Sequence, residues 1–181
     1  MNTALTGTHG KLAEARFFLA LLSRLQDGKP ITTESLDDEA TYFVSALLNA
    51  CYSVWQLLLS EGTEALKETN RSNLKHKLKE EVDNLRDQNR DLYFSERGSD
   101  KYGLRSLVVH HKPVDVGHRD RTLGTLGSVP FGRLMPGEIR RYRSLYVDDP
   151  FSERHISITP RMTTHLHELE SLVTQWRELI G

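Results

Sequence analysis

The sequence predicts a mainly α-helical protein, an antiparallel helical bundle with a short β-hairpin or irregular insertion before a C-terminal helix. Apolar residues recur at three- and four-residue steps in several long stretches, the spacing of one helix face. Between residues 113 and 159 this period is lost, and glycine and proline become frequent. We expect one domain over 1–181, with core helices at about 9–112 and the C-terminal helix at about 160–180.

Composition fits a globular protein of the cytoplasm. The chain is 38% hydrophobic and 27% charged, with a formal net charge of -1, which argues against a protein coated throughout with nucleic acid. Its N-terminal residues do not resemble a secretory signal, and no apolar run approaches membrane-spanning length. Cys51 is the single cysteine, so no disulfide can form within the chain and a reducing compartment suits it.

The first two helices are predicted from wide apolar stripes. The first runs from about His9 to Arg24, and "DGKP" at 27–30 ends it. The second follows "TTESLDDEA" and should end at Gly62. Its stripe is the widest in the sequence and includes Cys51, so we expect a core helix that holds a buried, unreactive thiol.

The rest of the chain is predicted as one charged helix, a hairpin and a final helix. The charged helix covers Glu64 to Phe94 with a break at 70–73, and a fourth helical element begins near Tyr102. Two short strands lie in "RRYRSLYV" and "RHISIT", and the residues from 114 to 138 read as irregular. Thr159 and Pro160 begin the final helix, whose inward stripe is Met162, Leu166, Leu169, Val173, Trp176 and Ile180.

Two groups of histidines are candidates for chemistry. On a helix, His165 and His167 point about 200° apart and cannot chelate one ion together, so an exposed helix face is expected there and no metal site. The segment "LRSLVVHHKP" places Arg105 close to His110 and His111, just before a proline. Histidine can transfer protons near neutral pH, and a guanidinium can hold a phosphate with two donors.

The geometry of that segment limits what one copy can do. In a helix, Arg105 and His110 would be about 140° apart around the axis, and Arg105 and His111 about 120° apart the other way. Unwinding of the helix at its end, or two copies facing each other across a cleft, would remove this difficulty. The simpler alternative is a surface ion pair at Arg105, with histidines near the negative end of a helix.

The Arg105-Ser-Leu-Val-Val-His110 motif resembles that of the HEPN superfamily, the higher eukaryote and prokaryote nucleotide-binding domains, many of which are ribonucleases. The motif is an arginine followed by histidine after four to six residues, and His111 also satisfies it. Further upstream, Val44-Ser45-Ala46, Ala50 and Ser53-Val54 resemble a pattern in a bacterial HEPN-like group. The resemblance covers roughly residues 12–115.

The resemblance implies a helical bundle and a composite site between two protomers. Arg105 would bind the scissile phosphate of an RNA, and His110 or His111 would act as acid or base without a metal or cofactor. Ser106 stands where that group has asparagine, and serine offers fewer hydrogen bonds than an amide. The resemblance also covers a toxin-like, RNA-targeting relative with an antitoxin as partner. The departure at Ser106 favours an alternative, a non-catalytic module that binds a nucleotide, a nucleic acid or another protein.

A local excess of positive charge lies beside the motif. From His110 to Leu145 the net charge is +4, which suits a polynucleotide backbone, although a solvated arginine-rich loop and hairpin has the same composition. The residues we expect to contact substrate are Ser106, Lys112, His118, Arg119 and Arg121.

Overall fold

The computed structural model describes residues 4–26, 30–32, 34–93, 103–105, 117–122, 141–148 and 155–181, with the backbone alone at 117–122, 141–144 and 148. Its long helices are α1 (Thr6–Gln26), α2 (Leu36–Glu68) and α3 (Lys75–Gln88). A short turn of helix, α4, covers Arg90–Tyr93, and the final helix, α5, covers Ile158–Ile180. The predicted mainly α-helical bundle is confirmed.

Hydrogen bonds and contacts between the helices define their directions. Glu61, late in α2, accepts hydrogen bonds from the backbone N–H groups of Gly7 and Thr8 at the start of α1, at 2.9 and 3.0 Å. Gln26, at the end of α1, donates to Thr159 at the start of α5, at 3.1 Å. Helix α1 is therefore antiparallel to both α2 and α5. The Glu61 carboxylate also satisfies donors that a helix N-terminus leaves unpaired.

Helix α2 is the core helix of the bundle. Ser35 caps its start by accepting from the Asp38 N–H at 3.2 Å. By length and composition α2 could cross a membrane, since it contains an 18-residue window of mean hydropathy 1.4, which the sequence prediction did not anticipate. Its apolar side chains, however, pack against α1, α3 and α5, which accounts for this composition. Cys51 lies in this core and is fully buried, as predicted.

The prediction that Gly62 ends the second helix is wrong, because α2 continues to Glu68. Gly62 is instead a close-packing position. A Cβ atom there would lie 2.9 Å from Cδ2 of Leu78 in α3 and 3.8 Å from Cδ1 of Ile180 in α5. The glycine therefore lets three helices approach one another, at the propensity cost of a glycine within a helix.

The predicted break at 70–73 is confirmed, but the predicted start of the charged helix at Glu64 is wrong, because residues 64–68 belong to α2. Asn70 has a positive φ of 55°, and a 3₁₀ turn at Ser72–Leu74 leads into α3. Helix α3 runs antiparallel to α5, since Trp176 Nε1 near the end of α5 donates to Glu81 at 2.7 Å while Asn89, just after α3, donates to Glu168 at 3.1 Å.

A small antiparallel sheet packs beside α1 and α5. Strands β2 (Arg141–Asp148) and β3 (His155–Ser157) form the predicted hairpin, and Leu145 and Val147 of β2 are buried in the main core. Strand β1 (Gly117–Thr122) pairs with β2, so the prediction of irregular structure is wrong for these residues. "GHRDRT" lacks the alternation of apolar residues that marks a strand, and its pairing with β2 is a tertiary effect.

Helix α5 closes the bundle. It starts at Ile158, one residue before the predicted cap Thr159, which lies in the first turn and is buried. Every residue of the predicted inward stripe, from Met162 to Ile180, is buried. His165 is also buried, at 1% exposure, so the expectation of an exposed face is wrong for His165, while His167 is exposed.

Candidate functional site

Arg105 is the one predicted catalytic residue within the described parts of the chain. Leu104 and Arg105 are helical, and Leu104 is buried, which anchors the arginine against the bundle. Ser106, His110, His111 and Lys112 lie outside the described residues, so their predicted roles stay predictions.

His118, Arg119 and Arg121 lie on the backbone of β1, whose side chains are not described. The register pairs His118 with Leu145, Arg119 with Ser144, and Arg121 with Tyr142. The three residues thus belong to one strand of an ordered sheet, and their predicted contacts with substrate stay predictions.

The Arg105 side chain is held against the outer face of α2. Its guanidinium carbon lies 3.7 Å from the centroid of the Tyr52 ring, well within the range of a cation–π contact. Its Nε donates a long hydrogen bond, 3.4 Å, to the side-chain carbonyl oxygen Oδ1 of Asn49. Arg105 is half-buried, so the guanidinium is both positioned by protein and open to solvent.

Asn49 belongs to a polar stripe on α2 formed by Ser45, Asn49 and Ser53, which we call the α2 stripe. Each side chain donates to the backbone carbonyl four residues earlier: Ser45 to Thr41 at 2.7 Å, Asn49 to Ser45 at 3.1 Å, and Ser53 to Asn49 at 2.9 Å. Because the Asn49 amide N–H₂ is committed to its own helix, its oxygen is oriented outward as an acceptor.

The α2 stripe contains the two serines that carry the resemblance to the HEPN-like pattern. Ser45 and Ser53 flank Asn49 by one turn on either side, and Asn49 contacts the arginine of the motif. The two stretches of sequence that were matched separately are therefore adjacent in the fold. Sequence reasoning missed Asn49 and Tyr52, although polar residues four apart in an otherwise apolar helix were a visible signal.

A second polar cluster lies inside the bundle, between α2, α4 and α5. The Tyr93 hydroxyl and His165 Nε2 are 2.6 Å apart, and His165 Nδ1 lies 3.4 Å from the Glu168 carboxylate. A carboxylate only accepts, so Nδ1–H donates to Glu168 and Nε2 of the neutral ring accepts from the tyrosine. Arg161 closes the cluster with a two-point contact to Asp91, at 2.7 and 2.9 Å.

Burial makes this buried cluster a poor site for acid–base or nucleophilic chemistry. Burial lowers the pKa of His165 to about 4, although the hydrogen bond to Glu168 acts to raise it. Burial also raises the pKa of Tyr93 well above its ordinary value and that of Cys51 to about 12. At neutral pH the imidazole, phenol and thiol are therefore uncharged, and Cys51 is not a nucleophile.

An aromatic group connects the two polar regions. Tyr52, which contacts Arg105, lies 4.8 Å from Trp55 and 6.0 Å from Tyr93 between ring centroids. Tyr93 in turn packs against Trp55 and His165, each at 5.3 Å. The ring beneath the Arg105 guanidinium is thus supported from below by the buried cluster.

The described residues contain no group of three histidine, cysteine or carboxylate side chains that could hold a metal ion. Comparison with protein-family models, with curated proteins and with solved structures found no match.

Proposed function

We propose that the protein is a HEPN-like endoribonuclease of the cytoplasm that cleaves RNA without a metal or cofactor, as a homodimer. The observation that carries this proposal is the placement of Arg105. Its guanidinium is held by Tyr52 and Asn49 on the face of α2 whose serines resemble the HEPN-like pattern. Its two contacts among the described residues, Tyr52 and Asn49, are uncharged, which leaves its positive charge available to an anion.

Cleavage of RNA by this mechanism needs few protein side chains. RNA carries its own nucleophile, the 2′-hydroxyl next to the scissile phosphate. Arg105 binds that phosphate and stabilises the charge that develops in the transition state. His110 or His111 removes the proton from the 2′-hydroxyl or gives one to the leaving oxygen. The products are a 2′,3′-cyclic phosphate and a new 5′-hydroxyl.

A homodimer completes the site in this proposal. If the helix at Arg105 continues through residue 111, Arg105 and the two histidines would point about 120° to 140° apart around its axis, and one copy would supply the phosphate ligand and the other the proton-transfer group. Ser106, Lys112, His118, Arg119 and Arg121 extend the contact along the RNA backbone. Their sequence-independent contacts make affinity fall as salt rises.

Ser106 favours a second candidate function, in which the same surface binds RNA or a nucleotide, or docks a protein partner, without cleavage. Serine replaces the asparagine of the HEPN-like pattern at this position and supplies fewer hydrogen bonds to a reacting phosphate. Binding of RNA or a nucleotide also requires Arg105 as the anion ligand, and only the first function yields cleaved products.

The test is incubation of the purified protein with mixed transfer and messenger RNA in the presence of a metal chelator. The wild type should leave cyclic phosphate ends, and the double variant Arg105→Ala/His110→Ala should leave the RNA intact. The matched control is Arg177→Ala/His167→Ala, which removes the same two residue types from the exposed face of α5 and should cleave like the wild type.

Three outcomes would contradict the proposal in different ways. Intact RNA with the wild type, combined with binding that depends on Arg105, would favour the non-catalytic module. Equal cleavage by the wild type and the Arg105→Ala/His110→Ala variant would show a contaminating nuclease. Sedimentation as a monomer at every concentration, with activity retained, would exclude the composite site.

A further inference from the structure

We infer that Asn49 and Tyr52 are positioning residues for Arg105, and that they leave the two terminal nitrogens of its guanidinium to grip one phosphate of the RNA backbone. The inference rests on the proposed function and deepens it, because it assigns a role in phosphate binding to two residues of α2 that lie outside the HEPN-like pattern. The inference concerns the side chains of Arg105, Asn49 and Tyr52 and the two contacts that join them.

The first contact selects one edge of the guanidinium. A guanidinium can offer a ligand either the edge formed by Nε and one terminal nitrogen, or the edge formed by Nη1 and Nη2. In this structure Nε is directed to Asn49 Oδ1, at 3.4 Å. The edge formed by Nη1 and Nη2 makes no hydrogen bond with the described residues, and it fits two non-bridging oxygens of a phosphodiester.

The second contact fixes the plane of the guanidinium. Tyr52 lies beneath it at 3.7 Å, and Tyr52 is itself packed against Trp55 and Tyr93, both of which are buried. A flexible arginine would lose side-chain entropy when it binds phosphate. Here much of that cost is met on folding, which is the advantage of a preorganised ligand.

The orientation of Asn49 follows from its own helix. Its amide N–H₂ donates to the Ser45 carbonyl at 3.1 Å, so its oxygen is the group presented to Arg105. An aspartate at position 49 would instead form an ion pair with Arg105 and cancel the charge that an anion needs. Asparagine holds the cation without neutralising it.

The experiment measures the affinity of the full-length protein for a short mixed-sequence RNA whose 2′-hydroxyls are methylated, so that cleavage cannot occur. Asn49→Ala should weaken binding about fivefold, the range expected for one hydrogen bond that orients a cation. Tyr52→Leu should weaken it about tenfold through loss of the cation–π contact. Tyr52→Phe keeps the ring and should bind like the wild type. Asn49→Asp should bind more weakly than Asn49→Ala.

A double-mutant cycle separates positioning from a general effect on the fold. In an Arg105→Ala background, Asn49→Ala and Tyr52→Leu should have no further effect on RNA affinity, because the side chain they position is gone. A merely structural role would lower affinity in both backgrounds. Gln56→Ala, an exposed change one turn beyond Tyr52 on α2, is the matched control and should bind like the wild type.

The outcomes distinguish this inference from the proposed function. If Arg105→Ala weakens RNA binding while Asn49→Ala and Tyr52→Leu behave like Gln56→Ala, the positioning role is wrong and the proposed function stands. If Arg105→Ala binds RNA as tightly as the wild type, the proposed function fails, and the positioning role fails with it. Reductions of equal size in both backgrounds would also overturn the positioning role.

Discussion

Arg105 and Arg161 show two uses of the same side chain in one bundle. Arg161 is 22% exposed, contacts both oxygens of Asp91, and donates to Asn89 at 2.8 Å. Arg105 has a single long hydrogen bond and an aromatic ring, and it has no carboxylate partner among the residues that the structure describes. Arg161 is paired with a carboxylate, whereas the described contacts of Arg105 are with two uncharged side chains.

The difference teaches how to separate structural from functional polar residues in this fold. The buried cluster around Arg161 and His165 satisfies its own charges and hydrogen bonds, so removing a member should lower stability. The Nη1 and Nη2 groups of Arg105 donate to none of the described residues, so removing Arg105 should affect ligand binding and leave stability nearly unchanged. Measurements of the free energy of unfolding can test both halves of this comparison.

The largest expected effect is the pH dependence caused by His165. Its pKa is lowered to about 4 from 6.5 by burial, with Arg161 acting in the same direction and Glu168 and Asp91 opposing. Above pH 6.5 the ring is neutral in both folded and unfolded chains, and its contribution is fully present. As the pH falls from 6.5 towards 4, only the unfolded chain takes up the proton, so stability is lost, by about 3 kcal/mol in total.

Urea unfolding between pH 7.5 and 4.5 measures this loss. His165→Gln should flatten the pH dependence, and His167→Gln should not, because His167 is exposed on the same helix. The prediction would be contradicted if the free energy of unfolding changed equally with pH in the wild type and in His165→Gln. An NMR titration of the wild type gives the same answer without a variant, since a His165 pKa above 6 would show that the ring is accessible to protons.

The next largest effect is expected from Arg161→Ala. The change leaves Asp91 without its cation and Asn89 Oδ1 without its donor, in a region where all three side chains are mostly buried. We expect the free energy of unfolding to fall by about 2 kcal/mol at neutral pH.

The matched control for Arg161→Ala is Arg16→Ala. Arg16 pairs with Glu170, but its side chain is 58% exposed, so the loss should stay below about 0.5 kcal/mol. Similar losses in the two variants would contradict the assignment of Arg161 to the buried cluster. RNA binding should be unchanged in both variants, since Arg161 holds Asp91 and Asn89, and Arg16 holds Glu170, rather than the side chains that contact Arg105.

The sequence predicted the helices better than the polar contacts, for a physical reason. The inward stripe of α5 and the core position of Cys51 follow from apolar periodicity, which is local information. The predicted end of α2 at Gly62 is wrong because it relies on glycine as a local stop signal. Contacts with Leu78 and Ile180 determine the role of Gly62 instead. Strand β1 was missed because its partner, β2, determines its structure.

The residues of the candidate site also divide into those that a local pattern predicts and those that only the fold brings together. The motif identified Arg105 because it is a pattern along the chain, but Asn49 and Tyr52 are more than fifty positions away and become neighbours only in the fold. The spacing of His165 to His167 excludes a shared metal ion but does not determine which helix face His165 occupies. The spacing to Met162 and Leu169 does determine it. Those residues, three before and four after, place His165 on the buried face.

Of the two arginines compared, Arg105 should give the smaller effect on stability, and the comparison depends on the result for Arg105→Ala. The variant loses a long hydrogen bond and one cation–π contact at a half-buried position, so the free energy of unfolding should fall by less than about 1 kcal/mol. Urea unfolding at neutral pH measures this, with Arg105→Lys as the variant that keeps the charge. A loss as large as that of Arg161→Ala would make Arg105 a structural residue, and losses of RNA binding in Arg105 variants would then report damage to the fold. A small loss, together with weakened RNA binding, would mean that this arginine is held for a ligand, because the bundle itself gains little from it.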